Sequence, residues 1–481
     1  MRRIKGQKGN IMGLFQKLLQ VKNHENRPIA PEEIKNLYKK TLSIAWPSTL
    51  EGALMSIIGS VDTMMVGTLG AAAIAAVGLT SQPRMIMLIL AQALCIGTTA
   101  LCARRKGAQD QAGANSCLHQ SLAIITVIGL MMTGIGYFGA EWLVTLGGAK
   151  EDTLEMSATY FRIISLAFLP VCWQLCICAS MRAIGKTRIT MATNITANLI
   201  NVGLNYVLIN GKLGFPALGV KGAAIATAAG SVAASLICIG VVLKKGGYFH
   251  LALPRFDKVT VHGLAKVGSS SMIESVCLRL GFLILARLIA GIGTDAFAAY
   301  QIVSQVTSLS FTLGDGISAA GTSLVGQSLG ARRKDMAMAH ARVAYRIGIF
   351  AALMLMAVIT LFSRQIALLF TQEENIIAGV TASLYVVIAA MIPQNGRVIY
   401  SGALRGAGDV KFVAMCALLS VTILRPILTW LFCYPVSQML PGIPQMAVMA
   451  PWIAFLIDAI VRDRLLSHRI RKGKWLNIKL E

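Results

Sequence analysis

The sequence predicts an all-α polytopic membrane protein, with twelve transmembrane helices in two six-helix lobes related by pseudo-two-fold symmetry. Three observations predict this fold class: the composition, the number of long apolar segments and an internal repeat. Of the 481 residues 55% are hydrophobic and only 14% are charged, whereas about 25% are charged in soluble domains. The mean hydropathy is +0.66. This composition excludes a soluble enzyme and indicates a chain that crosses a membrane many times.

Twelve apolar segments are long enough to cross a hydrocarbon core about 30 Å thick, which takes about 20 helical residues. In chain order the predicted spans are 42–67, 76–103, 118–140, 157–181, 189–210, 219–243, 264–290, 296–325, 342–362, 376–403, 412–434 and 444–461.

Positive charge is concentrated in the connections that follow the even-numbered spans. ARRKGAQ (103–109) follows the second span and GARRKD (330–335) follows the eighth, whereas GGAKEDTLE (147–155), after the third, is acidic. Cytoplasmic connections carry the excess of Lys and Arg, so both termini are predicted in the cytoplasm. We expect the membrane itself to be a bacterial plasma (inner) membrane. The same pattern accounts for the net charge of +24 without a nucleic-acid partner.

The predicted domains follow from these spans. Residues 1–41 form a basic cytoplasmic arm without a cleavable signal peptide, in which 11–19 is either a short amphipathic surface helix or part of a partly ordered tail. Residues 42–243 form the N-lobe, 244–263 a cytoplasmic linker, 264–461 the C-lobe and 462–481 a basic cytoplasmic tail. The tail marks topology, with binding to anionic lipid as the alternative.

The two lobes are predicted to be parallel repeats, because the second half matches the first at one constant offset of 223 in the numbering. Ser81-Gln82 aligns with Ser304-Gln305, and Glu51 aligns with Glu274. The pattern Arg-x-x-Gly recurs at Arg182 and Arg405. Six spans per half return the chain to the same side, so both halves have the same orientation. Many secondary transporters have this plan, with a central cavity between halves that rock against each other.

Four asparagines on the fifth span lie on one helical face, because they occupy positions i, i+4, i+7 and i+11. They are Asn194, Asn198, Asn201 and Asn205. Such a stripe is too polar to face lipid, so it faces protein or a water-filled cavity. Interhelical hydrogen bonding between amides is the structural alternative to a functional role.

Two acids lie on the first span, about 16 Å apart along the axis and on nearly the same face. Asp62 lies within the apolar run IIGSVDTMMVG, and Glu51 lies near the cytoplasmic end. A carboxylate at bilayer depth costs about 2.5–3.5 kcal/mol on insertion scales and marks a functional site. Pairing with an arginine, or snorkelling to the outer surface, is the alternative for Asp62. Asp62 aligns with Leu285 in the repeat, so its charge belongs to one lobe only, whereas Glu51 is the expected structural acid.

Other charged residues lie in the spans of the second half. Arg425 is predicted to be structural rather than substrate-facing, and Asp458 to be a solvated or paired residue near a helix end. The ten cysteines fall mostly inside apolar runs without a CxxC pair, so we expect small buried side chains and neither a disulfide framework nor a metal site.

Several motifs together resemble the multidrug and toxic compound extrusion (MATE) family of the MOP superfamily. They are VDTMMVGTLGAAAIAAVGL (61–79), IGTTALCARRKGAQD (96–110), NYVLINGKLGFPALGVKGAAIAT (205–227), GTDAFAAYQI (293–302) and SGALRGAGDVK (401–411). The resemblance covers about residues 40–465. It implies twelve helices in two lobes around a V-shaped cavity, and export of cationic, amphipathic compounds in exchange for H⁺ or Na⁺ by alternating access.

The resemblance also implies a cation-coupling site in the N-lobe, formed by Asp62, Asn201 and Asn205. Some members carry aspartate where this chain has Asn205, so a carboxylate pair is missing here. Another subfamily has acids in the seventh and tenth spans. Here the tenth-span position falls on Gln394, and Glu274 lies about one turn too early, so the N-lobe is the expected coupling lobe.

Glu51, Asn194, Asn198, Glu274 and Gln394 are expected as further polar residues of the cavity. We expect a monomer with no cofactor, no catalytic residue and no metal beyond Na⁺ at Asp62. The expected partners are cationic amphipathic small molecules and the lipid bilayer.

Three other functions are weighed. A flippase for lipid-linked glycans or other lipids is the alternative within the superfamily. A membrane enzyme lacks support, because the sequence contains no HExxH, GxSxG or P-loop motif. A channel lacks any marked filter.

Overall fold

The computed structural model describes residues 30–244, 246–439 and 446–480, and within these residues the regular structure is helical, without β-strands. The all-α prediction is therefore confirmed. The expected surface helix at 11–19 lies outside the described residues, as does most of the predicted arm. The first described helix begins at Pro31, so helical structure starts ahead of the predicted first span.

The first half of the chain contains eight helices among the described residues. They are α1 Pro31–Gly67, α2 Ala71–Gly107, α3 Gln111–Phe138, α4 Ala140–Leu146, α5 Glu151–Ser165, α6 Phe168–Ala183, α7 Thr187–Asn210 and α8 Gly219–Leu243.

The second half begins with four long helices and continues through an eleventh span that is interrupted by π-helical turns. The long helices are α9 Lys258–Ala290, α10 Thr294–Gly330, α11 Lys334–Leu368 and α12 Glu374–Ala407. The eleventh span is α13 Val410–Ala417, a π-helix Leu418–Leu424, α14 Arg425–Leu431, a π-helix Phe432–Val436 and α15 Ser437–Met439. The last helix is α16 Met446–Lys472, followed by a 3₁₀ turn, Lys474–Asn477.

The repeat is visible in the helix boundaries. Shifting α2 by the offset of the sequence repeat reproduces α10 residue for residue, and the starts of α3 and α7 fall on those of α11 and α13. The first half breaks at Gly139, between α3 and α4; the equivalent residue, Phe362, is the non-helical kink inside α11. The halves thus share this interruption as well as several helix boundaries.

One hydrogen bond recurs in both halves. The Thr99 hydroxyl donates to the Ala179 carbonyl at 3.3 Å, and Thr322 donates to the Gly402 carbonyl at 2.8 Å. Both members of the second pair are the repeat equivalents of the first. The internal duplication predicted from sequence is therefore preserved as structure.

Twelve helical stretches among the described residues coincide with the twelve predicted spans, α5 with α6 and 410–439 each counting as one. Seven of the described helices are long and apolar enough to cross a membrane by themselves, or eight with the bent pair α5–α6. The other four stretches are α7, α9, α10 and α16. Polar residues lower their hydropathy, the asparagine stripe of α7 being the clearest example.

The chain divides into two compact units. Of the described residues, one unit contains 47–244, 246–280, 410–418 and 479–480, and the other contains 30–46, 281–409, 419–439 and 446–478. The first packs around buried residues such as Leu101, Phe161 and Phe168, and the second around Val380, Leu384 and Phe455. The lobe boundaries given above stay a prediction.

All ten cysteines are buried, and none of them forms a disulfide within the described residues. This agrees with the expectation of small apolar side chains in the helix-packing core.

Candidate cation site

The candidate site is formed where α1 and α7 lie side by side, within the unit that contains residues 47–280. Three of the hydrogen bonds between them link residues separated by 143 positions. The side-chain NH₂ of Asn194 donates to Glu51, that of Asn198 to the Met55 sulfur at 2.8 Å, and that of Asn205 to Asp62. A constant separation means that two parallel helices are in register over about three turns.

Asp62 lies at the end of this register that is farther from the N-terminus of α1. The half-buried carboxylate accepts from the fully buried Asn205. A hydrogen bond to a charged acceptor contributes about 1.5–3 kcal/mol, comparable to the insertion cost of about 2.5–3.5 kcal/mol for an acid at the helix centre. Arg84 of α2 adds a favourable charge interaction with the ionised carboxylate. The Asp62 side chain thus points to a neighbouring helix and does not snorkel to the outer surface.

Oxygen atoms from four helices gather around Asp62. The Asn205 NH₂ also points to the Asn201 Oδ1 at 3.4 Å, and the Asn201 NH₂ donates to the Thr227 hydroxyl at 3.3 Å. Tyr160 of α5 hydrogen-bonds to the same Thr227. We define Asp62, Asn201, Asn205, Thr227 and Tyr160 as the Asp62 cluster.

One buried oxygen in the Asp62 cluster has no partner. The Oδ1 of Asn205 is shielded from solvent and accepts no hydrogen bond within the described residues. An unmet buried acceptor costs about 1–3 kcal/mol. Next to an ionised carboxylate, such an oxygen is suited to a bound cation.

Close helix packing brings Asn201 to Thr227. Gly230 of α8 faces α7, and a Cβ there would lie 3.0 Å from the Ala197 carbonyl and 3.1 Å from the Asn201 Cβ. Small residues allow membrane helices this close approach. The contact between the Asn201 amide and Thr227 therefore depends on a glycine that the sequence pattern did not single out.

The other predicted cavity residues fall into separate places. Glu51 is bound by Asn194 at the opposite end of the register, with the Thr190 hydroxyl 3.2 Å away. Asn198 donates to the Asn194 carbonyl as well as to Met55, so this part of the stripe joins helices. Glu274 is buried within the same unit as Asp62.

Gln394 belongs to the other unit, where the structure places a set of buried charges. Its Oε1 accepts from the Arg397 guanidinium at 2.7 Å. Arg397 lies over the rings of Phe311 and Phe455 at 5.5 and 5.8 Å, and Arg425 lies over Phe455 at 4.7 Å. The packing of Arg425 fits a structural role.

The structure contradicts the prediction made for Asp458. The sequence predicts a solvated or paired residue near a helix end, but Asp458 is fully buried, and neither carboxylate oxygen has a hydrogen-bond partner in the described part of the chain. It interacts electrostatically with Arg397. The reason is that α16 continues to Lys472, so Asp458 is near its middle rather than its end.

An internally duplicated membrane protein, with twelve helical stretches at the predicted spans among its described residues and a polar cluster inside one half, has the architecture of a secondary transporter. A family model described as MatE matches residues 47–207 and again residues 270–431. These two ranges cover most of the chain, so the protein belongs to the MatE family. It is therefore an integral membrane transporter and not an enzyme.

Curated relatives match along nearly the whole chain. The uncharacterized transporter YisQ of Bacillus subtilis is 28% identical over 443 residues, 90% of this chain and 94% of the relative. The probable multidrug resistance protein NorM of Thermotoga maritima is 27% identical over 450 residues, 92% of this chain and 94% of the relative.

A solved structure shares the fold. A crystal structure of MATE in the straight conformation superposes with a TM-score of 0.82 at 22% identity, covering 91% of this chain and 97% of the other. At that identity the likeness shows the fold alone.

Proposed function

We propose that this transporter exports cationic, amphipathic compounds by alternating access, in exchange for H⁺ or Na⁺ that binds at the Asp62 cluster. The observation that carries the proposal is the pairing of a half-buried carboxylate with a fully buried amide whose own oxygen is unmet. Both features are costly inside a membrane. A cation at this position removes both costs together.

The cluster offers each ion a different set of atoms. A hard cation such as Na⁺ takes oxygen ligands, here the Asp62 carboxylate, the Asn201 and Asn205 Oδ1 atoms and the Thr227 hydroxyl. A proton binds to the carboxylate alone and turns one acceptor into a donor, for which the unmet Asn205 oxygen is the adjacent acceptor. In either case the bound ion neutralises the one carboxylate of the cluster.

Substrate class and direction are inferred from the relatives. The NorM relative from Thermotoga maritima is named a probable multidrug resistance protein, which supports multidrug efflux for this chain. One elementary charge crossing the membrane releases about 2.3 kcal/mol per 100 mV, a sufficient driving force for uphill export. The basic connections after even-numbered spans support a plasma-membrane protein with both termini cytoplasmic, and nothing in the proposal needs more than a monomer.

Transport of a fluorescent organic cation in everted vesicles tests the proposal, with ΔpH and ΔNa⁺ imposed separately. We expect one gradient to drive transport and Asp62→Asn to abolish that dependence in a folded protein. Glu51→Gln is the matched control, because Glu51 is the other acid of α1 and is also bound by an asparagine of α7. Wild-type, gradient-driven transport by Asp62→Asn would falsify the role of the Asp62 cluster.

A further inference from the structure

The connection between α8 and α9 is bound to one polar face of α3. The amides of Gln111 and Asn115 both donate to the Tyr248 carbonyl, at 2.9 and 3.0 Å. Asn115 in turn accepts from the His250 backbone N–H at 2.8 Å, and the His119 ring nitrogen Nε2 lies 2.6 Å from the His250 carbonyl. Residues 111, 115 and 119 are one helical face, so this part of the connection is fixed.

A second attachment follows at the start of α9. The Asp257 backbone N–H donates to the Gln120 side chain at 3.3 Å. Asp257 also accepts from the backbone N–H groups of Val259 and Thr260 and so caps α9. Between the two attachments, residues 251–256 pass over the helices without regular secondary structure. We call residues 251–256 the bridge.

A cavity of about 250 Å³ lies under this bridge. It is lined by α3 (His119, Leu122, Ala123, Thr126), α6 (Trp173, Ile177), α8 (Ile239) and the bridge (Leu251, Ala252, Pro254). The Trp173 indole N–H donates to Thr126 at 2.8 Å, and the Thr126 hydroxyl donates to the Leu122 carbonyl at 2.6 Å. These polar groups are therefore satisfied within the wall. An apolar cavity of about 150 Å³ already accommodates a benzene-sized ligand and stays dry.

The outer face of the bridge has the composition of a membrane-surface segment. Leu253 is 91% and Phe256 is 64% exposed, with the exposed Arg255 between them. Residues 244–258 contain four Lys or Arg and one Asp, a net charge of +3. Exposed apolar side chains among cations bind to anionic lipid surfaces.

The position of the cavity along the helices agrees with a lipid interface. Ile239 lies about 6 Å from the end of α8, and Thr126 lies about 22 Å into α3, at about 1.5 Å of rise per residue. The cavity therefore extends from the helix ends that carry the basic connections into the apolar part of the spans.

We infer that this cavity is a binding site for an anionic phospholipid, with one acyl chain inside and the phosphate held by Arg255 and the neighbouring cations. Two features together indicate this ligand: the residues that line the cavity are mostly apolar, and residues 244–258 carry a net positive charge. The inference does not depend on the transport cycle or on the coupling ion, because none of these residues belongs to the Asp62 cluster.

Quenching of Trp173 by brominated acyl chains tests the site directly. The purified full chain is placed in vesicles of phosphatidylcholine that contain a minor fraction of brominated phosphatidylglycerol or, separately, brominated phosphatidylcholine. The Trp173 contribution is the difference between wild type and Trp173→Phe. We expect stronger quenching by the anionic lipid, and about a fivefold weaker preference in Arg255→Gln. Equal quenching by both lipids identifies ordinary boundary lipid and overturns the inference.

A filling variant and its matched control complete the test. Ala123→Phe places a ring in the cavity and should remove the selective quenching. Val127→Phe, one turn further along α3, is 58% exposed and is not among the residues that line the cavity, so it should leave the quenching unchanged. If both phenylalanine variants are folded and still show selective quenching, the acyl chain is not in the cavity and the inference is wrong.

Discussion

Asn205→Ala is the most informative single substitution, because Asn205 both donates to Asp62 and carries the unmet oxygen of the Asp62 cluster. The substitution removes a hydrogen bond to a charged acceptor, worth about 1.5–3 kcal/mol. Taking about 2 kcal/mol, the change in the proton affinity of Asp62 is about 30-fold, since about 1.4 kcal/mol corresponds to a factor of ten.

The direction of the change distinguishes the two ions. For H⁺, the substitution deletes a donor that stabilises the ionised carboxylate, so the half-saturating proton concentration should fall about 30-fold. For Na⁺, it deletes an oxygen ligand, so the half-saturating Na⁺ concentration should rise. One variant therefore reports on the coupling ion as well as on the site.

The assay is initial transport rate of a fluorescent cation in everted vesicles, measured against Na⁺ at fixed pH and against pH without Na⁺. Asn194→Ala is the matched control: it removes an equivalent amide donor on the same helix and in the same register, but from Glu51. We expect it to lower stability without moving either half-saturation point. The reasoning fails if Asn205→Ala stays within twofold of wild type for both ions, or if the control shifts equally.

Two further predictions concern stability. Gly406→Ala should prevent stable folding, because its Cβ would lie 2.2 Å from the Thr322 carbonyl oxygen. A Cβ at Gly203 meets nothing within 4 Å, so Gly203→Ala should stabilise its helix by about 0.5–1 kcal/mol. Thermal unfolding in detergent compares the two variants, and equal unfolding midpoints contradict the packing described at Gly406. The pKa of Asp257 lies below its ordinary value because the carboxylate accepts hydrogen bonds from Thr260 and Val259. A lowered folded pKa gives stability that is present above the unfolded pKa of about 3.9 and is lost as pH falls through the folded value. Asp257→Asn should therefore lose less stability than wild type between pH 5 and pH 3, and an identical loss excludes this cap as a titrating element.

Much of the fold could be predicted because membrane helices are specified locally. A span needs about 20 apolar residues, and duplication repeats several helix boundaries, so the constant offset between the halves predicts helices that the structure reproduces. The extent of individual helices is less accessible. Apolarity stops near Asp458 and so predicts a helix end there, yet backbone hydrogen bonding continues the helix to Lys472.

The pairing within the site is encoded in the sequence by a spacing that neither helix reveals alone. The interval from Glu51 to Asp62 on the first span equals the interval from Asn194 to Asn205 on the fifth. Equal spacing on two spans of the same direction is the condition for parallel, in-register contact. By contrast, the contribution of Tyr160 and Thr227, and the cavity under residues 251–256, depend on packing between distant segments, which no local pattern specifies.

The common register of α1 and α7 has a mechanical consequence. Because the three bonds share one separation, sliding either helix by a single turn, about 5.4 Å, would carry every donor past its acceptor at once. The three pairs therefore change together, and a slide of one turn would bring another residue of the stripe, Asn201, opposite Asp62. Axial sliding that separates Asp62 from Asn205 therefore also separates Glu51 from Asn194, about 16 Å away along the helix, without any relay of intermediate side chains.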